Sequence, residues 1–182
     1  IYDATPFKRD PLKELAAGLR RFGEDGQAQT VAQWAGWLRA NYRDTFYNEA
    51  TGWLAGWRCR ENQLHDYAFL PVNGAAIAEG LLSPDEGRAI LSRLLGEAKK
   101  VGLPDASFGL PGNLRHIPDH DLSDIIQGYP FGYYQNGGRT HSQTRHFVMA
   151  LYHCGFQREG DALLKRLCAG FAEAKVFGGN QS

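Results

Sequence analysis

The chain has 182 residues, about one domain's worth, and at that length it can bury enough apolar surface to fold without disulfides or a structural metal. Its 20 Lys and Arg balance its 20 Asp and Glu, which removes the electrostatic case for a nucleic-acid backbone or an anionic membrane surface as partner. With 43% hydrophobic and 22% charged residues it is not a disordered chain, and it holds no run of apolar residues long enough to span a membrane.

The first helix is predicted from Asp10 as N-cap and Pro11 at the first helical position, with Leu12, Leu15, Ala16 and Leu19 on one face. Gly23-Glu-Asp-Gly26 breaks it. A second helix follows from about Ala28 to Tyr42, its expected stripe being Val31, Trp34, Leu38 and Tyr42. Residues 52–70 read as a short β-hairpin, aromatic and glycine-rich on its first arm and turning at Glu61-Asn62. Pro71 restarts helical structure, with a short helix over 73–81. The next helix has the clearest start in the chain: Ser83 as N-cap, Pro84 after it, and Glu86 closing a capping box. Ile90, Leu91, Leu94, Leu95 and Ala98 form its apolar face, and Gly102 ends it.

Residues 103–138 are irregular, with four prolines and six glycines. A loop this long inside a compact chain points to function, and its five aromatic residues point to order. A fifth helix is predicted over about 140–154 and a sixth over about 159–175, antiparallel neighbours across a short link. The expected architecture is mainly α: three α-hairpins in a single unit spanning 1–182, with the β-hairpin near 52–70.

Cys59, Cys154 and Cys168 show no CxxC spacing, so neither a zinc ribbon nor a redox pair is expected. Cys154 and Cys168 read as small hydrophobes in apolar helical patterns, and this usage favours a reducing, cytoplasmic compartment. The chain starts at Ile1 with no visible signal peptide, which suggests a product cut from a longer polypeptide. His116 and His120 resemble a metal pair, but Pro118 between them opposes the helix that would put both rings on one face, and no metal or cofactor is expected. There is no GxSxG, HExxH, P-loop or GxGxxG element.

Two segments can carry chemistry. In the first, Trp57, Arg58, His65 and Asp66 combine a stacking ring with groups that hydrogen-bond hydroxyls. In the second, Tyr134, Gln135, Asn136 and His141 surround Gly137-Gly138, where a ligand can approach the backbone. Trp57 and Tyr134 are expected to face one common groove.

The Gly52-Trp-Leu-Ala-Gly-Trp57 run, Leu64-His-Asp-Tyr67 and Tyr134-Gln-Asn-Gly-Gly138 before a helix resemble the six-hairpin glycosidase superfamily over about 46–177. After the paired glycines this chain has Arg139-Thr-His141, where many relatives carry a Trp. The resemblance implies part of an (α/α)6 barrel and a glycoside hydrolase acting on an oligosaccharide or glycoside by carboxylate acid/base catalysis. Asp66, set among Trp57, His65 and Tyr67, would be the catalytic acid, ahead of Glu49 and Asp121, and Trp57, Arg58, His65, Tyr134, Gln135, Asn136 and His141 would bind substrate. Three hairpins are half of such a barrel, so the remaining half is expected from the rest of a parent chain or from a second copy. A polysaccharide lyase using Tyr134, Asn136, His141 and Arg145, and a non-catalytic carbohydrate-binding helical module, are the alternatives.

Overall fold

A computed structural model describes residues 11–103 and 106–173, and in them it shows six α-helices and three short antiparallel strand pairs. Helices α1 (Pro11–Arg21) and α2 (Asp25–Phe46) pack against each other. Strand β1 (Tyr47–Asn48) pairs with β2 (Trp53–Leu54), and β3 (Trp57–Arg58) with β4 (Leu64–His65). Helices α3 (Leu70–Ala78) and α4 (Pro84–Val101) follow. After the long loop come β5 (Leu110–Pro111), β6 (Arg139–Thr140), α5 (His141–His153) and α6 (Gln157–Ala172). The predicted N-cap at Asp10 lies outside the described residues.

The capping box of α4 forms: Glu86 N donates to Ser83 Oγ at 3.3 Å, and Ser83 N donates to Glu86 Oε2 at 2.8 Å. Gly102 ends the helix at φ 64°, a left-handed turn that costs glycine nothing. The main core lies where α3, α4 and α5 meet β2, with Leu54, Leu70, Leu91, Leu94, Phe147 and Leu151 buried there. Burying a side chain of this size contributes about 1.5–3 kcal/mol.

The observed elements differ from the expected ones at three places, and the long irregular stretch gains a fixed point. The hairpin expected over 52–70 is two hairpins, the first beginning at Tyr47, because the chain turns at both 49–52 and 59–63. The irregular stretch is anchored at both ends, since β5 pairs with β6 in the register Leu110 to Thr140 and Pro111 to Arg139. Helix α3 packs chiefly on α5 rather than on its sequence neighbour α4. Its small residues allow this: a Cβ on Gly74 would stand 2.7 Å from Phe147 N, so only glycine admits so close an approach. Finally, of the stripe expected on α2, Val31 is buried and Tyr42 packs on the main core, but Trp34 is left uncovered. Ala28 and Val31 pack against α1 and Ala35 is buried, while Trp34 is 60% and Trp37 65% exposed, because the small residues let two backbones approach where an indole would hold them apart.

Among the described residues, no helix is long and apolar enough to cross a membrane.

Candidate functional site

Strand alternation builds one wall of a groove. Trp57 pairs with His65, and Cys59 N donates to Gln63 O at 2.9 Å, so Trp57, Cys59, Gln63 and His65 project from the same face of the β3–β4 hairpin. Arg58 pairs with Leu64 on the other face, where its Nε donates to Thr45 O at 2.7 Å and its Nη1 to Asn62 Oδ1 at 2.9 Å. The facing wall is a turn of 3-10 helix, Asp119–Asp121, which brings His120 and Asp121 opposite the hairpin. Between them is an open groove of about 530 Å³, with Glu61 also in its lining. Leu122 and Trp57 join its lining to a separate apolar cluster, in which Ile117, Leu122 and Ile126 are buried and Trp57, Tyr67 and Phe69 pack against them.

The groove's polar centre is Asp121. His65 Nδ1 donates to Asp121 Oδ2 at 2.6 Å, and the Tyr67 hydroxyl donates to the same oxygen. The carboxylate is almost enclosed, its side chain 9% exposed. Burial pushes its pKa up, but the hydrogen bonds from Tyr67 and His65 outweigh that, and the net shift is downward. Asp121 therefore stays ionised at neutral pH. The same contacts act in reverse on its partners. The His65 pKa is raised, first by the hydrogen bond to Asp121 and then by the neighbouring Cys59. The Tyr67 pKa is raised by burial and then by Asp121. Asp121 Oδ1 has only a distant neighbour, His120 Nε2 at 3.9 Å, and so retains capacity to accept a hydrogen bond. The Trp57 ring stacks on His65, centroids 4.9 Å apart and planes 7° from parallel, which fixes the imidazole against Asp121.

Asp66 has a different setting. Its Oδ2 accepts from Asn48 Nδ2 at 2.9 Å and Thr51 Oγ1 at 2.6 Å, and its Oδ1 from Trp53 Nε1 at 2.7 Å and Ala68 N at 3.1 Å. Four donors occupy the two oxygens, and the carboxylate ties the first hairpin to the strand that follows the second. It does not line the groove. Glu49 is exposed beside Arg43, 3.8 Å from its Nη2.

The second segment is also outside the groove's lining. Tyr134 and Gln135 are exposed at the tip of a tight turn, Tyr134 with φ 43°. Asn136 is 2% exposed and spends its amide on one peptide unit: Ile117 N donates to its Oδ1 at 2.8 Å, and its Nδ2 donates to Ile117 O at 3.0 Å. His141 packs against Phe171 with ring centroids 4.5 Å apart, and burial lowers its pKa. Trp57 and Tyr134 thus do not share this groove.

Two more asparagines serve as clasps that the sequence reading missed. Asn73 holds Leu54, accepting from its N at 2.8 Å and donating to its O at 3.0 Å, and Asn113 accepts from Gly137 N at 2.8 Å. Of the polar groups that line the groove, Cys59, Glu61, Gln63 and His120 were not among the expected site residues, and Tyr67, which reaches Asp121 from beside it, was not assigned that part. The available signal was period-two alternation, since Trp57, Cys59, Gln63, His65 and Tyr67 are all odd-numbered on one predicted hairpin. Among the described residues, no group of three or more His, Cys, Asp or Glu side chains is arranged to hold a metal ion.

No family model, curated protein or solved structure matches the chain.

Proposed function

We propose that the chain is part of a glycoside hydrolase and that the groove between the β3–β4 hairpin and residues 119–123 receives a sugar. The observation that carries this reading is the Asp121 carboxylate, held by Tyr67 and His65 in an open groove beside the Trp57 ring. An aromatic ring offers an apolar platform to a sugar's C–H face, and fixed polar groups around it select hydroxyls.

Asp121 takes the part of a base. Its lowered pKa keeps it ionised, with Oδ2 tied down and Oδ1 able to accept from a water or a sugar hydroxyl. Glycoside hydrolysis needs a second carboxyl as acid. Glu61 lines the same groove and is the candidate within this chain; the other source is the remaining half of the barrel, from a parent polypeptide or a second copy. Asp66 acts as a positioning residue, through the first hairpin. The lyase alternative loses its amide, because Asn136 is committed to Ile117.

The test is release of reducing ends from a panel of oligosaccharides by the polypeptide that contains this chain. Asp121→Asn is expected to lower turnover at least about 10²-fold, the low end of general-base contributions, while the protein stays folded. Equal turnover by wild type and D121N would refute the assignment.

A further inference from the structure

The groove holds one group that sugar hydrolysis does not use. Cys59 is a free, partly exposed thiol in the lining, on the same face of the hairpin as His65. The two are diagonal neighbours across paired strands, about 7–8 Å apart at Cα, which leaves their side chains in reach of each other. His65 donates from Nδ1 to Asp121, an acceptor-only group, so Nδ1 carries the hydrogen in the neutral ring and Nε2 carries the lone pair. That Nε2 is buried and has no hydrogen-bond partner. A buried, unpaired acceptor beside a thiol lacks only a proton to be satisfied.

We propose that Cys59 is a nucleophilic thiol, with His65 as its proton acceptor and Asp121 orienting the imidazole, and that the groove is a covalent modification site for small carbon electrophiles. The thiol proton passes to His65 Nε2, and the imidazolium is stabilised by the Asp121 carboxylate. The sulfur then forms a bond to the electrophilic carbon, and the leaving group departs with its bonding electrons. With iodoacetamide, the S–C bond forms, the C–I bond breaks and iodide leaves. Asp121 holds the imidazole and Tyr67 holds the Asp121 carboxylate, while Glu61 and His120 also line the groove. The inference shares the groove with the hydrolase reading but does not depend on it, since alkylation is measured without any sugar.

The experiment is alkylation of the folded protein by limiting iodoacetamide, with peptide mapping by mass spectrometry. Cys168 is exposed and Cys154 buried, so each chain carries its own references. Cys59 is expected to react about tenfold faster than Cys168 despite its lower exposure, with Cys154 protected. His65→Gln is expected to bring Cys59 down to the Cys168 rate. If H65Q unfolds the chain, Cys154 becomes reactive; Asp121→Asn, which removes the carboxylate that orients the imidazole, is then the second variant and is expected to slow Cys59 while Cys154 stays protected. A Cys59 no faster than Cys168, or a Cys59 rate unchanged by H65Q or D121N in a folded chain, overturns the proposal.

Discussion

The hairpin at 57–65 and the turn at 133–138 have similar composition: both are aromatic, glycine-flanked and rich in amides and other polar groups. They use those groups in opposite ways. In the hairpin, the strand ladder satisfies the backbone, so alternate side chains are released to one face and meet Asp121 across an open groove. In the turn, the buried polar group is spent on the backbone: Asn136 reaches back to pair with the peptide of Ile117, and Asn113 captures Gly137 N. Paired strands leave side chains free for a ligand, whereas a tight turn consumes them to satisfy its own neighbourhood.

The most damaging way to test this contrast is to remove an anchor from under the hairpins. Asp66→Ala leaves four donors without their acceptor and is expected to destabilise the chain by about 3 kcal/mol, read from the midpoint of urea unfolding. On the turn, Asn136→Ala strands the Ile117 N–H and C=O and is expected to cost about 2 kcal/mol in the same assay. An Asn136 that could be truncated without loss of stability would return that side chain to the list of ligand-binding groups.

A pH series sharpens the hairpin side of the comparison. The His65 pKa is raised in the fold, so its contribution is fully present below its unfolded value of about 6.5 and is lost as pH rises through the folded value. The Asp121 pKa is lowered, so its contribution is present above its unfolded value of about 3.9 and is lost as pH falls through the folded one. The difference in Tm between wild type and D121N is therefore expected to be largest between about pH 4 and 6.5 and to narrow on both sides. The smallest effect is expected at the exposed tip: Tyr134→Ala should change stability by less than about 0.5 kcal/mol and leave sugar binding unaltered, in denaturation and calorimetric titrations.

The helices were legible because their signals are local. Ser83, Pro84, Glu86 and Gly102 bound α4 by chemistry acting within one turn of chain. Trp34 misled because a periodic stripe says which residues share a face, not whether small residues beside it let a partner helix come closer. The groove was half legible. Trp57 and His65 lie on one predicted hairpin, but Asp121 arrives 56 residues after His65, on a loop whose path no periodicity encodes. Asn136 misled for a chemical reason: an amide offers a donor and an acceptor side by side, which suits a sugar's hydroxyls and suits a peptide group equally well.

The central claim is that sugar enters the groove beside Trp57. The chain has only four tryptophans: Trp34 and Trp37 are exposed on α2, Trp53 is buried in the main core, and Trp57 lines the groove. Their indole N–H resonances, followed in nitrogen-15 correlation spectra while the panel of oligosaccharides is titrated in, separate these locations directly. The account predicts that a binding sugar shifts the Trp57 resonance saturably, leaves Trp34 and Trp37 in place, and loses this effect in D121N. A sugar that binds while Trp57 stays still, or that moves Trp34 and Trp37 instead, would contradict it.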